Sequence, residues 1–198
     1  LNGDVHWANA CAFGLVPLGT ARDEHDDYLE GLRDMAKTAI YALLYGAGDG
    51  TLGAAVGEGS KRGAAMRADF ESAWPAYAEL VGKISRMAKQ GHIPGLDGRR
   101  IRIRHQHAAL NSLLQSAGAI IMKRSVVDGH RTIKAAGYDD WKLVCQVHDE
   151  IQSECDIPSA DFVGQSFVQA IVGAGEAYDM RIPLDGDAKV GHSWAETH

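Results

Sequence analysis

The ten residues from Val144 to Ser153 constrain the fold more than any other segment, because apolar residues alternate on both sides of the charged triplet His148-Asp149-Glu150. Strict alternation of this kind is typical of a half-buried strand. The pattern therefore predicts a strand, a tight turn and a second strand, with the triplet at the tip. Leu143, Cys145 and Val147 share one face of the first strand, and Ile151 is apolar in the second.

Charged residues at the tip of a hairpin are either solvated or held out toward a cation. Adjacent residues of an extended chain point to opposite faces, so Asp149 and Glu150 cannot both be full ligands of one metal ion. Mg²⁺ is usually held by one or two carboxylates together with substrate phosphates. If this tip binds Mg²⁺, a second carboxylate must come from another segment; an ordinary polar turn is the alternative.

The composition is that of a globular protein, with 45% hydrophobic and 23% charged residues among 198. This length suffices for one core or two small lobes. No apolar run reaches the roughly 18 residues of a membrane span and nothing resembles a signal peptide, so we expect a soluble cytoplasmic chain without a membrane anchor. Cys11, Cys145 and Cys155 are too scattered for a zinc site or a disulfide framework, and we expect reduced thiols.

The net charge of −6 argues against general affinity for nucleic acid, which depends on neutralising phosphates. The charge is unevenly distributed, however. Residues 81–104 contain seven Lys or Arg and one Asp, whereas residues 139–163 contain seven Asp or Glu and one Lys. This distribution fits a phosphate-tracking surface beside a cation site, or simply two solvated faces of opposite sign.

Residues 28–45 have the periodicity of an amphipathic helix that is capped by Asp27 and ends at Gly46. Arg33, Lys37 and Tyr41 recur on one face at intervals of four residues. Two cations one turn apart repel each other, and near the start of a helix they also oppose its dipole. A helix that carries these two cations despite that cost, with a phenol one turn further on, is typical of an anion-binding surface. The alternative is a solvated basic face.

The rest of the chain is predicted to be mostly helical. Asn111 and Gln115 lie one turn apart on one of these helices, and paired amides suit the hydrogen-bond acceptors of the DNA minor groove, or a contact between helices. We predict helices over 61–90 with an interruption at Trp74-Pro75, over 107–136 with a possible break near Asp128-Gly129, and over 159–178, and strands over 100–104 and 183–187.

Three ordered motifs resemble family A DNA polymerases, the bacterial polymerase I class, and above all the replicative polymerases of short-tailed bacteriophages. The first runs Arg33-Asp-Met-Ala-Lys37-Thr-Ala-Ile-Tyr41-Ala-Leu-Leu-Tyr45-Gly46 and resembles the fingers motif of that family. The second combines Gly95-Leu-Asp-Gly-Arg99 with His107-Ala-Ala-Leu-Asn111-Ser-Leu-Leu-Gln115 and resembles the palm segment that tracks DNA. The third, Val147-His-Asp-Glu150, resembles the palm hairpin that carries a catalytic aspartate; Gly3-Asp-Val-His6 and Trp194 to His198 also resemble the phage branch.

The resemblance implies an α+β fold, with a helical fingers subdomain over residues 1–94 and the C-terminal part of an antiparallel-sheet palm over 95–198. It implies template-directed transfer of a nucleotide from a dNTP to a primer 3′-hydroxyl, with two Mg²⁺ ions. The implied catalytic residues are Asp149, Glu150 and Lys37, of which Asp149 and Glu150 are also the metal ligands. Nucleotide binding is implied for Arg33, Lys37, Tyr41 and His6, and binding of primer-template DNA for Tyr45, Arg102, Arg104, His107, Asn111, Gln115 and His148.

The chain departs from the family pattern because it lacks the other catalytic aspartate, which lies in an Asp-x-Ser-x-x-Glu motif upstream of the fingers helix. Asp4 is no substitute, since nothing like that motif surrounds it. We therefore expect a partner polypeptide that supplies the upstream palm and thumb, and an isolated chain that is inactive; an exonuclease domain could belong to the same partner. Two other functions stay open: a non-catalytic subunit that binds DNA or nucleotide, and a metal-dependent phosphohydrolase.

Overall fold

The computed structural model describes residues 3–198, and residues 1 and 2 of the predicted fingers segment lie outside the described part. The chain forms two compact units. The first comprises the residues up to Ile93 together with Arg100–Leu113, and the second comprises Pro94–Arg99 together with Leu114–His198. Residues 100–113 thus cluster with the N-terminal helices, although they follow the subdomain boundary predicted after residue 94. The assignment of fingers and palm remains a prediction.

The first unit is built on five helices. Its longest helix begins one residue before the predicted start, because the side chain of Asp26, not Asp27, caps it by accepting hydrogen bonds from the amides of Tyr28 and Leu29. The helix buries Ala36, Ala39 and Leu43 against the core. The bounds are α1 Val5–Ala12, α2 Asp27–Leu44, α3 Asp49–Ala54, α4 Ser60–Ala73 and α5 Pro75–Ala88.

The predicted interruption at Trp74-Pro75 is confirmed. Pro75 is the first residue of α5, where a missing N–H group costs no helical hydrogen bond. Phe70 of α4 stacks on Phe13, with ring centroids 4.6 Å apart, and meets the edge of Tyr77 in α5. These three rings join α4 and α5 to the loop after α1. A second apolar cluster joins α5 to two short paired strands, β1 His92–Pro94 and β2 Arg100–Arg102.

A short 3₁₀ helix over Gln106–Ala108 leads into α6, which is one continuous helix over Ala109–Ala135. The prediction that this helix breaks near Asp128-Gly129 is therefore wrong. A Cβ atom at position 129 would lie 2.6 Å from the ring of Phe167, so this glycine allows the helix to pack closely on that side chain. Close packing, and not helix termination, is what the sequence encodes at this position.

The predicted hairpin is present as β3 Lys142–Val147 and β4 Glu150–Glu154, which pair antiparallel. Its turn is shorter than the predicted triplet, because Glu150 already pairs with Val147. The predicted strict alternation is wrong, since the register shifts between Leu143 and Cys145 as in a β-bulge. The strand is also less buried than predicted. Among its apolar residues, Leu143, Val144 and Val147 are 43%, 55% and 43% exposed.

The second unit is completed by helix α7 over Ala160–Ala177 and a short helix α8 over Trp194–Thr197. Ser159 precedes α7 as predicted but does not cap it with its side chain; its hydroxyl donates to Asp140 instead, at 2.6 Å. The strand predicted over 183–187 is wrong, because that segment has no strand pairing. The mixture of helices with small antiparallel sheets confirms the predicted α+β class. No helix of the described chain is long and apolar enough to cross a membrane.

Replacing Gly46 by alanine should lower the free energy of unfolding by several kcal/mol. Gly46 has φ +80°, and a Cβ atom there would lie 1.9 Å from the carbonyl oxygen of His107, so the variant combines a left-handed backbone with a severe overlap. Gly31→Ala inside α2 is the control, since a Cβ atom there meets nothing within 4 Å; it should stabilise the chain by up to about 1 kcal/mol. Urea unfolding measures both. Similar effects of the two substitutions would contradict this account of Gly46.

Candidate functional site

The exposed face of α2 carries the predicted nucleotide-binding residues. Ala36 and Ala39 point into the core, and the helical period therefore leaves Lys37 and Tyr41 on the solvent side. Lys37 is exposed and takes part in no ion pair with the residues that the structure describes. Tyr41 is 51% exposed. This face can therefore present an ammonium group and a phenol to a ligand.

Arg33 differs from Lys37 because a carboxylate already holds it. Its Nε atom lies 2.5 Å from Oδ2 of Asp4, and both side chains are mostly buried. A second guanidinium, that of Arg22, reaches the same oxygen at 2.8 Å. Arg22 in turn makes a two-point contact with Glu30 in the first turn of α2, at 2.8 and 3.0 Å. Two arginines and two carboxylates thus tie α2 to the start of α1.

Asp4 also caps α1, with the oxygen that the arginines do not use. Its Oδ1 atom accepts hydrogen bonds from the amides of His6 and Trp7, at 2.8 and 3.2 Å. Desolvation by burial alone would raise the pKa of Asp4, but the hydrogen bond from Arg33, the two amides and the charge of Arg33 outweigh it and lower the pKa to about 2. The carboxylate is therefore ionised throughout the physiological range.

His6 lies next to Tyr41, with ring centroids 6.3 Å apart and the planes tilted by 51°. Its Nδ1 atom is buried and has no hydrogen-bond partner among residues 3–198. Buried polar atoms are normally hydrogen-bonded, so an unpaired one is uncommon. The structure thus brings His6 and Tyr41 together and joins His6 to Arg33 through Asp4.

The predicted DNA-binding residues of the first unit lie on its surface. Tyr45 follows the last residue of α2 and is 57% exposed, and the adjacent Gly46 touches the backbone of His107. The ring of His107 stacks on His105 with centroids 5.6 Å apart. Arg102 and Arg104 are exposed, Asn111 is half-buried, and Gln115 is exposed one turn further along α6, in the second unit.

The hairpin turn of the second unit consists of His148 and Asp149. His148 has φ +51°, a left-handed conformation that is uncommon outside glycine. Both side chains are exposed. The turn therefore presents an imidazole and a carboxylate to solvent, which suits contact with a ligand.

Glu150, the third residue of the predicted triplet, is engaged by other side chains. It accepts a hydrogen bond from Gln152 in the same strand, and Trp194 Nε1 donates to its Oε1 atom at 2.8 Å. His198 Nδ1 lies 2.9 Å from its Oε2 atom. The hydrogen bonds from Gln152, Trp194 and His198 together lower the pKa of Glu150, although partial desolvation opposes them.

Asp149 and Glu150 differ in how well they fit Mg²⁺. Asp149 offers an exposed carboxylate, the hard oxygen ligand that Mg²⁺ prefers. Glu150 would first have to release Trp194 or His198. Within the described range there is no group of three or more His, Cys, Asp or Glu residues placed to hold a metal ion. Asp149 is therefore a suitable single ligand that needs further ligands from elsewhere.

Residues 2–196 match the family model for DNA polymerase family A. The chain belongs to this family. It is 37% identical over 200 residues to the DNA-directed DNA polymerase of Escherichia phage Phieco32, a match that covers 96% of this chain and 32% of that protein. It is 35% identical over 219 residues to the DNA-directed DNA polymerase of Escherichia phage T7, covering 100% of this chain and 29% of that protein. The chain thus spans about a third of the length of these curated relatives.

The fold of this family A chain is also found in a solved structure, the POL domain of Pol1 from M. smegmatis in complex with DNA primer-template and dNTP. The TM-score is 0.70 at 22% sequence identity, and the match covers 86% of this chain and 31% of that one. At this identity the comparison establishes the fold alone. The predicted family and fold class are confirmed, whereas the roles of individual residues remain predictions.

The contacts of two carboxylates, Asp4 and Glu150, were not predicted from the sequence. Asp4 has no predicted role beyond its exclusion as a replacement metal ligand, although an aspartate directly before a short apolar segment is a helix-capping signal that could have assigned it to the start of α1. The partners of Glu150 were not predicted because Trp194 and His198 are 44 and 48 residues away in the chain. No local pattern indicates such a contact.

Lowering the pH from about 4 to about 2 should destabilise the wild-type chain more than its Asp4→Asn variant. The pKa of Asp4 is about 2 in the folded chain and 3.8 in the ordinary case, so the unfolded chain binds the proton first. The stabilisation is complete above the unfolded pKa and is lost as the pH falls through the folded pKa. Its size is on the order of 2 kcal/mol. Urea unfolding at several pH values measures it, and equal losses in the two proteins would contradict the proposed pairing.

Proposed function

We propose that this chain forms the fingers, residues 1–94, and the C-terminal part of the palm, residues 95–198, of a DNA polymerase. The reaction is attack of a primer 3′-hydroxyl on the α-phosphate of a template-selected dNTP, with release of pyrophosphate. The observation that carries the proposal is the face of α2, where Lys37 and Tyr41 are exposed and Arg33 is joined to His6 through Asp4. Its cations suit a triphosphate, and the phage relatives are DNA-directed DNA polymerases.

Each residue of this face takes a separate part in binding the nucleotide. Arg33 and Lys37 bind phosphate oxygens through charge-assisted hydrogen bonds, and Lys37 also donates a proton to the departing pyrophosphate. Tyr41 contacts the sugar. His6 supplies a further polar contact to the nucleotide. Tyr45, at the end of α2, lies where the templating base enters.

The predicted DNA-binding residues make two kinds of contact with the primer-template duplex. Asn111, Gln115 and His148 donate to acceptors in the minor groove, which are present at every base pair. Arg102, Arg104 and His107 contact the backbone of the DNA. The exposure of five of these six side chains supports this assignment, and Asn111 is half-buried.

Asp149 would hold the Mg²⁺ ions of the reaction, with Glu150 as a secondary ligand. The chemistry that Mg²⁺ would supply there is a lower pKa for the primer hydroxyl and neutralisation of charge on the phosphates. Asp149 needs no rearrangement for this task, whereas Glu150 contributes only after exchange of a contact with Trp194 or His198. In the resting arrangement Glu150 therefore ties the start of β4 to Trp194 and His198 at the end of the chain.

The second aspartate comes from a segment outside residues 3–198, in a partner polypeptide that carries the upstream palm motif and the thumb, and an exonuclease where the enzyme proofreads. Leu143, Val144 and Val147 support this proposal, because they are exposed on a strand that pairs on one edge only. The isolated chain is then inactive and self-associating. For a phage-encoded chain, the enzyme acts in the cytoplasm of the bacterial host.

Primer extension tests the proposal. We expect no extension by the purified chain alone and extension after addition of a polypeptide that carries the Asp-x-Ser-x-x-Glu motif and thumb. In that assembly Asp149→Asn should abolish incorporation in Mg²⁺ and leave the Kd for primer-template nearly unchanged, because only the charged ligand is lost. Asp187→Asn, which alters an exposed loop aspartate of the same unit, is the matched control and should retain full activity.

Extension by the 198 residues alone would show that the second carboxylate lies within the chain. Incorporation by Asp149→Asn within tenfold of the parent would reject the metal assignment. If the assembly binds primer-template but never extends it, the chain is a non-catalytic DNA-binding subunit.

Lys37→Ala should reduce kcat/KM for dNTP in the active assembly. The loss of a charge-assisted hydrogen bond of roughly 1.5–3 kcal/mol predicts a loss on the order of tenfold to a hundredfold or more. Lys61→Ala is the control, because Lys61 is an exposed lysine on α4. A fall in primer-template affinity with unchanged dNTP kinetics would contradict the role of Lys37.

A further inference from the structure

We propose that Asp4 is a positioning residue for the nucleotide: its single carboxylate holds the Arg33 side chain and the start of α1 in one arrangement, so that Arg33 and His6 meet the triphosphate together. This inference rests on the proposed function of Arg33 and His6. It gives a task to a carboxylate that is neither a metal ligand nor in contact with the substrate.

The two carboxylate oxygens of Asp4 have different partners. Oδ1 accepts the amide hydrogens of His6 and Trp7, which fixes the first turn of α1 and therefore the backbone that carries the His6 ring. Oδ2 accepts from Arg33 and pairs with Arg22. A rotation of the carboxylate would break contacts on both oxygens, so its orientation is strongly restrained.

Arg33 keeps donors for a phosphate in this arrangement. Asp4 binds the Nε–H group, and Asp34 accepts one hydrogen bond from Nη1 at 3.3 Å. A guanidinium carries further N–H groups on its Nη atoms, in a rigid plane. The hydrogen bond at Nε fixes the orientation of the guanidinium group, so its remaining N–H donors are already oriented when a phosphate binds. Less side-chain entropy is then lost on binding.

Asp26 shows that helix capping alone does not require the arginine contacts. Its Oδ1 atom accepts the amides of Tyr28 and Leu29 at 2.9 and 3.2 Å, nearly the same distances as at Asp4. Asp26 forms no ion pair with any residue of the described chain. The two caps therefore differ in the contacts of Oδ2, and Asp26 provides a matched control within the same unit.

The test compares Asp4→Asn with Asp26→Asn in the active assembly. Asparagine remains a good cap, so both variants should fold. Asp4→Asn removes the negative charge and replaces one acceptor oxygen by an NH₂ donor, so the contacts of Oδ2 with Arg33 and Arg22 are lost. We expect Asp4→Asn to raise the KM for dNTP on the order of tenfold, with kcat and the Kd for primer-template nearly unchanged. Asp26→Asn should leave all three unchanged.

A double-mutant cycle separates positioning from a general structural effect. In an Arg33→Ala background, Asp4→Asn should cause little further rise in KM, because Arg33 is gone and asparagine still caps the turn of α1 that carries His6. Multiplicative effects of the two substitutions would overturn the proposal, as would an unchanged KM in Asp4→Asn.

Binding of inorganic triphosphate to the 198-residue chain, measured by isothermal titration, keeps the two proposals distinguishable. If no assembly incorporates nucleotides, the polymerase proposal fails, yet weaker triphosphate binding by Asp4→Asn than by Asp26→Asn and the wild type would still support positioning. Equal binding by all three proteins would overturn it.

Discussion

The ion pair between Asp4 and Arg33 is the interaction on which the proposed nucleotide-binding face depends. A helix with cations at Arg33 and Lys37 is opposed by their mutual repulsion and, near its start, by its own dipole. Asp4 and Asp34 neutralise Arg33, and Glu30 holds Arg22, which shares Asp4. Lys37 is left without a carboxylate partner among the described residues. The structure thus tolerates two nearby cations and still presents one whose charge no ion pair neutralises.

The parts of the fold that sequence predicted best are those set by local rules. Apolar periodicity placed the long helices to within one or two residues, and Pro75 fixed the boundary between α4 and α5. The position of the hairpin was also predicted, because charged residues interrupted an apolar alternation. In each case the deciding interactions join residues that are close in the chain, so the pattern and the structure have one cause.

The predictions that failed concern interactions between residues distant in sequence. Gly129 resembles a helix breaker until Phe167 is known to pack on it. The alternation around Leu143 concealed a bulge, which is a property of the register with β4 and not of β3 alone. At the candidate site, the residue types and spacings of Arg33, Lys37 and Tyr41 could be predicted. The pairing of Arg33 with Asp4 could not, because a capping aspartate and a distant arginine give no joint signal.

Three carboxylates illustrate how environment, more than residue type, decides which group can bind a cation. Asp4 uses both oxygens on arginines and amides, and Glu150 uses both on Gln152, Trp194 and His198. In each case binding a cation would cost existing hydrogen bonds to the carboxylate, which are stronger than those between neutral groups. Asp149 lies beside Glu150 at the hairpin turn and is exposed. Adjacent carboxylates with the same charge therefore differ in availability: Glu150 is held by Trp194 and His198, and Asp149 is left exposed to solvent.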